Sequence, residues 1–532
     1  MLTLSILAPL VAAILVWIFP ARNNYREDSG HKPNGWMMNV ALIGSLVAML
    51  ASLLAASSFN GQSAEFQLHE VWFPAEGKAI NWVFSVDGIS LGLYLLTTIL
   101  FPLGIYYSYA SFLVNAKQGI SPRREKLFWI SLLFLEASVI GVFLAQNLVT
   151  FYAFWEIMLV PMALLIGIWG GSDKKYATIK FFIYTFAGSV FLLVGMVALI
   201  YAQWSNGTNF DIGLALYQNA AQLPSHIQRY LFWAFILSFL IKIPAFPFHT
   251  WLPHAHTQAP TVGSIILAGV LLKLGTYGIL RFSIPLFPEA ANAYSELFMW
   301  IGAVAIVYGA WLAWSQDDLK KLIAYSSVSH MGYIVMGMFA GTANALAGSY
   351  LQMINHGITT GLLFMLVGVV YDRVHTRDIA KFGGLAQKSP VFATIFLIAT
   401  LSSVGLPGTN GFVGEFLILL GTFEANMLIG AIAVTGVIFG AVYMLQLYKA
   451  VFFGEPGEAI AHAKVSLHLN SREILLSVPF LVLIFWLGFK PDLVLSPVRA
   501  SLEKIQFREI DRSFVAPKIG KAEPVEGHAE HH

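Results

Sequence analysis

The chain has 532 residues, 57% hydrophobic and 11% charged, with a formal net charge of +2 and a mean hydropathy of +0.70. Soluble domains carry about 25% charged residues, so this composition excludes a soluble globular protein and requires lipid as its solvent. No cysteine is present, which excludes structural disulfides and thiolate-ligated iron–sulfur clusters within the chain.

Apolar runs of about 20 residues, each long enough to cross a hydrocarbon core of about 30 Å as a helix, recur from end to end. They predict an all-α integral membrane protein of about fourteen spans, at 1–20, 36–58, 89–113, 127–145, 147–169, 178–203, 230–249, 260–283, 294–314, 322–341, 344–370, 390–420, 425–453 and 473–490. Runs such as Phe191 to Ile200 do not alternate in polarity, so barrel strands are excluded. With essentially no strands predicted, no phosphate loop or dinucleotide fingerprint has a strand to follow. Nothing points to a nucleic-acid partner. The first span lacks a basic leading segment and is followed by Arg22 and Arg26, which reads as a retained helix rather than a cleaved signal.

Loop charge gives an orientation. Loops after odd-numbered spans hold Arg22, Arg26, Lys32, Lys117, Arg123, Arg124, Lys320, Lys321, Arg373, Arg377, Lys464 and Arg472 among others, whereas loops after even-numbered spans hold little beyond Lys78, Arg229 and Arg281. The positive-inside rule then places the first group in the cytoplasm and both termini on the other side. An even span count agrees.

Two spans carry helix-breaking residues. In the seventh, Pro244, Pro247 and Pro253 lack an N–H and leave carbonyls one turn back without a donor. In the twelfth, Gly405-Leu-Pro-Gly-Thr-Asn-Gly411 is glycine-rich around Pro407. Unpaired backbone at membrane depth survives only when buried in protein or lining a wet cavity. The breaks occupy corresponding places in two blocks of five spans, four to eight and nine to thirteen, the sequence mark of a repeat; five being odd, the repeat is inverted. The expected organisation is three N-terminal helices (1–126), a first five-helix repeat (127–283), a second (294–453), a last helix (454–490) and a polar tail (491–532). Histidines ending the tail are read as a solvated terminus, not a metal site.

Ionisable groups inside spans cost about 2.5–3.5 kcal/mol each even on the gentlest scale, so each marks a function or a paired ion. Glu156, Lys242, Lys273, His330, His356 and Glu415 fall on spans five, seven, eight, ten, eleven and twelve. That set includes both broken helices, and a single polar axis between the breaks accounts for all six. Glu136 stands either on that path or bracing it. His254 and His256, beside the first break, are gate groups or partners for freed backbone. Lys180 and Lys449 lie near span ends and can snorkel. A metal site is disfavoured, because His254 and His256 are two apart and no His-Glu-x-x-His or Glu-x-x-His array exists. A hydrolytic triad lacks its aspartate. Burial acts on a lysine with about 4 kcal/mol, and a carboxylate about 4 Å away opposes it by a similar amount, so displacing Glu156 from Lys242 is enough to switch proton release.

At these residues the sequence resembles the antiporter-like membrane subunits of respiratory complex I, NADH:quinone oxidoreductase. Phe154-Trp-Glu-Ile-Met-Leu-Val-Pro161, the segment from Lys242 to Pro260, Leu322-Ile-Ala-Tyr-Ser-Ser-Val-Ser-His-Met-Gly332 and Gly405-Leu-Pro-Gly-Thr-Asn-Gly-Phe-Val-Gly-Glu-Phe416 carry the likeness, which extends over roughly residues 80–455. Glutamate at 415 is similar to the M-type (chain 4) branch, where the L and N chains and the Mrp-type antiporter subunits tend to carry lysine. His254 departs from the aspartate or lysine of many relatives. The resemblance implies a proton-pumping subunit with a Glu156–Lys242 pair followed by Lys273, His330, His356 and Glu415. It implies no cofactor in this chain, FMN, iron–sulfur clusters and quinone in partner subunits, L and N chains and a peripheral redox arm as partners, and a bacterial cytoplasmic membrane. An Mrp-type cation/proton exchanger subunit and the equivalent subunit of a membrane-bound hydrogenase-like complex share these motifs.

Overall fold

The computed structural model describes residues 1–19, 35–73, 82–114, 121–203, 214–463 and 465–505. Arg22, Arg26, Lys32, Lys78, Lys117, Lys464 and the terminal histidines lie outside the described residues. The crossings begin with α1 (Leu2–Ile18), α2 (Gly35–Ser57), α3 (Gly88–Val114) and α4 (Pro122–Leu144). A fifth is made of α5 (Leu148–Ile157) and α6 (Leu159–Trp169), and α7 (Lys174–Gln203) is the sixth. The seventh is interrupted into α8 (Ser225–Lys242) and α9 (Trp251–Gln258), followed by α10 (Thr261–Leu286). Then come α11 (Ser295–Trp314), α12 (Leu319–Ala340) and α13 (Ala343–Val374), and an interrupted crossing of α14 (Pro390–Val404) and α15 (Asn410–Ala425). α16 (Met427–Phe452) and α17 (Ser471–Phe489) close the set. Among the described residues, eleven crossings are long and apolar enough by themselves. The shorter α1 and the two interrupted segments complete fourteen, with an interruption fourth in each five-crossing block.

Capping fixes the helix starts. Ser121 accepts from the Arg124 N–H before Pro122, and Asp318 accepts from the Lys320 and Lys321 N–H groups. Asn470 and Glu473 form a reciprocal capping box on α17. The centre of the protein is α10 and α13, both buried throughout their apolar windows. Their backbones approach closely, since a Cβ added at Gly357 would meet the Gly269 carbonyl at 2.7 Å. Small residues at such crossings let helices pack where lipid supplies no hydrophobic drive.

Three features differ from expectation. Strands β1 (Gln67–Phe73) and β2 (Trp82–Val86) pair antiparallel into a hairpin with register irregularities. The stretch read as a wholly polar tail begins with α18 (Asp492–Glu503), whose Val498 and Leu502 are buried and whose Pro497 backbone lies against Gly88. The fifth crossing is also broken, at Met158, because Pro161 cannot donate to the carbonyl four residues back.

Candidate functional site

Lys242 is the last residue of α8, directly at the first interruption. Pro244 supplies no N–H to the Leu240 carbonyl, which takes the Ala245 N–H at 2.9 Å instead, and the Ile241 carbonyl accepts from the Trp251 indole at 2.9 Å. These two carbonyls are therefore already covered by protein. Pro253 sits in the first turn of α9, where a missing N–H costs nothing, so it does not break the helix. The buried Lys242 ammonium lies 5.2 Å from the centroid of the Trp155 ring. Glu156, next to Trp155, is within Coulombic range of Lys242. No hydrogen bond or ion pair joins the two directly among the described residues. One Glu156 oxygen accepts from the Tyr152 hydroxyl at 3.4 Å, and the other is buried without a partner.

Lys273 is fully buried on α10, just past a π-helical segment, Leu267–Leu271. A π turn moves the backbone bonding from i−4 to i−5 and leaves carbonyls short of donors. The Lys273 ammonium donates to one of them, Ala268, and lies 2.6 Å from Nδ1 of His356 on α13. With lysine as donor, Nδ1 accepts and the ring hydrogen sits on Nε2, an atom with no partner.

The His356 ring centroid is 5.6 Å from that of His330. His330 Nδ1 is 2.9 Å from Oε1 of Glu415, which also accepts from Gln352 at 3.0 Å, and His330 Nε2 is 3.3 Å from the Ser403 hydroxyl. A small polar cavity of about 10 Å³, room for roughly a single water, touches His330, Gln352, His356, Thr359 and Ser403. The second interruption is stitched by neutral side chains. Gly405 ends α14 at φ 80°, a left-handed conformation that suits glycine. Asn410 then accepts from Ser402 at 2.6 Å, and its carbonyl from Asn355 at 2.6 Å.

Of the six expected axis residues, Lys273, His356, His330 and Glu415 form one run, and Glu156 with Lys242 forms a second group on the other side of the α8–α10 contact. Glu136 lies apart, accepting from Ser45 of α2 at 2.6 Å. His254 is exposed, edge-on to Tyr176 at 5.2 Å, in a cleft with Asp173, Lys321 and Arg377. His256 is fully buried, stacked on Phe364 at 4.5 Å, with both ring nitrogens unpartnered. Lys449 is exposed and Lys180 half-buried. Gln352, Asn355, Ser403, Asn410 and His249 were not singled out by sequence. His249 is buried between Phe246 and Tyr308 with Nδ1 unpartnered, and its place between two prolines of the break was its only signal.

Fourteen crossings, two of them interrupted at matching places around buried titratable side chains, define an antiporter-like class of integral membrane protein. The family described as NADH:quinone oxidoreductase/Mrp antiporter, TM, matches residues 145–440. The chain is 43% identical to NADH-quinone oxidoreductase subunit M of Rhodobacter capsulatus, covering 93% of this chain and 94% of that one. It is 39% identical to subunit M of Rickettsia bellii, covering 95% and 98%. Respiratory complex I of Thermus thermophilus contains a chain that superposes with a TM-score of 0.80 at 29% identity, over 95% of this chain and 100% of that one. The chain thus belongs to the antiporter-like membrane subunits of respiratory complex I, in the subunit M (chain 4) branch, and is one subunit of a hetero-oligomeric membrane complex.

Proposed function

We propose that this chain is a proton-translocating, non-redox subunit of complex I, moving protons through Glu156, Lys242, Lys273, His356, His330 and Glu415. Electron transfer from NADH to quinone, with its FMN and iron–sulfur clusters, takes place in partner subunits, and L- and N-type chains flank this one. The observation that carries this reading is the buried run in which Lys273 reaches His356 at 2.6 Å and His330 reaches Glu415 at 2.9 Å. Such side chains persist at membrane depth where they serve as relays.

Glu156 lies within Coulombic range of Lys242 without bonding to it, so a movement of the carboxylate changes the field at the ammonium. Moving it away withdraws that attraction, and the proton passes to the Lys273 side. Expelling one charge against 100 mV takes about 2.3 kcal/mol. The basic loops support a reading in which the face bearing Arg377 and Lys321 lies in the cytoplasm of a bacterial inner membrane, with both termini opposite.

The test is Lys242→Ala and Glu156→Ala in the assembled complex, reconstituted in vesicles. Each variant is expected to abolish proton pumping driven by NADH oxidation. A normal proton-to-electron ratio in either overturns the assignment.

A further inference from the structure

A vestibule of about 460 Å³ opens on the basic face, where the ends of α3, α6, α9 and α13 meet the starts of α10 and α12. Tyr107, Thr261, Lys320, Asp372 and Arg377 line it. Lys320 stands at its inner wall. Counted in the sequence as a loop cation, it is instead 4% exposed, the second residue of α12, with its ammonium 2.8 Å from the Ala259 carbonyl at the end of α9. Asp318, Asp372 and Arg377 are the charges acting on it. An ammonium has three donors, and Ala259 is its one protein acceptor among the described residues.

One turn before Ala259 lies His256. Its ring is sealed on Phe364, and neither nitrogen has a partner. A buried imidazole leaves its donor and acceptor unmet only at a cost of about 1–3 kcal/mol for each. His256 lies within Coulombic range of both Lys320 and Lys273, and Lys273 is bonded to His356.

We propose that Lys320 is the cytoplasmic gate of the proton path, taking protons from the vestibule and giving them through His256 to Lys273 and His356. This rests on the proton-path reading above. In the step, an N–H bond of the Lys320 ammonium breaks and one forms, through water, on a ring nitrogen of His256. The neutral amine then regains its proton from vestibule water, so the net event is one proton inward with Lys320 restored. A gate of this kind needs a cation that can lose its proton, which separates lysine from arginine.

The assembled complex in vesicles tests this with Lys320→Met and Lys320→Arg. Arginine keeps the charge, can donate to Ala259 and can pair with Asp372, but does not release a proton at working pH. Both variants are expected to assemble and to lose about tenfold or more of their NADH-driven proton uptake. Full pumping by Lys320→Arg would reduce Lys320 to a positioning cation and overturn the proposal, as would normal pumping by Lys320→Met. Lys273→Met is measured alongside: if it abolishes pumping while Lys320→Met does not, only the gate fails, and if it too pumps normally, the proton-path reading fails with it. Should the Lys320 variants not assemble, Thr261→Cys gives this cysteine-free chain a single thiol in the vestibule. A membrane-impermeant thiol reagent is expected to modify it from the cytoplasmic side and block pumping. No modification from that side, or modification without loss of pumping, overturns the proposal.

Discussion

The Lys273 ammonium bridges the Ala268 carbonyl of its own helix and Nδ1 of His356 on the neighbouring one, so the π segment of α10 and the relay histidine of α13 share a single donor. Lys273→Met removes it and leaves a buried carbonyl and a buried imidazole nitrogen unpaired, at about 1–3 kcal/mol each. The expected outcome is loss of NADH-driven proton uptake together with a lowered thermal midpoint of the complex. Proton uptake and differential scanning on the same vesicles check both. An unchanged midpoint would show that the ammonium is not what satisfies these two atoms.

That bridge depends on how closely the two backbones approach. At Gly357, next to His356, an added Cβ would lie 2.7 Å from the Gly269 carbonyl oxygen, a backbone atom of a buried helix that cannot step aside cheaply, and 2.8 Å from the Leu96 side chain. Gly357→Ala is expected to cost about 1–3 kcal/mol by overpacking and to lower pumping, since α10 and α13 must move apart and Lys273 with them. Gly440→Ala, with nothing within 4 Å of its added Cβ, serves as the silent control. Equal midpoints for the two variants would sink the argument.

Length and apolarity alone located the crossings, because a helix must satisfy its own backbone in lipid and little else can cross. Clustered prolines and glycines marked both interruptions for the same reason. The single Pro161 was not enough to show the break at Met158, since a lone proline in an apolar run looks like any kinked helix. Gln352, Asn355 and Asn410 went unseen because a neutral amide carries no large desolvation cost to flag it, although their hydrogen bonds hold Glu415 and the second interruption in place. Lys320, between two spans, and Arg281, in the last turn of the eighth, were both read as loop charges. Burial depends on which neighbouring loops fold over them, and no one-dimensional pattern contains that.

Arg281 shows the point most sharply. Its guanidinium is 2.5 Å from Asp87, with only 5% and 3% of the two side chains exposed, and it also lies over the Tyr277 and Phe66 rings. The pair ties the junction of hairpin and α3 to the second π segment of α10, Ile279–Ser283. Asp87→Leu strands a buried guanidinium charge and is expected to cost about 3–5 kcal/mol. The double variant Asp87→Leu with Arg281→Met removes both charges and should cost clearly less than the sum of the singles. Thermal midpoints of the four-membered cycle decide it, and additive losses would mean that the two groups do not act as a pair.

Glu70 offers a pH test outside the membrane. It sits on β1 and accepts from the Leu2 and Thr3 N–H groups at 3.1 and 2.7 Å, as well as from the amino group of Met1, so it caps α1 from the hairpin. Partial burial pushes its carboxyl up, but the hydrogen bonds from the amino group, Thr3 and Leu2 outweigh that and hold it at about 2, below the ordinary 4.5. A carboxylate whose folded value is depressed adds stability that is complete above about 4.5 and fades as pH falls toward about 2. Amide hydrogen exchange at the start of α1, compared with that of α13 as an internal reference, is therefore expected to rise selectively as the pH is lowered through that window. In Glu70→Gln the neutral amide caps more weakly, so protection starts lower at pH 6 and the acid-dependent step disappears. If wild type and variant lose protection in parallel, the capping carboxylate is not what anchors α1 to the hairpin, and the first crossing must be held by its packing on α2 through Gly44, Ala8 and Ala12.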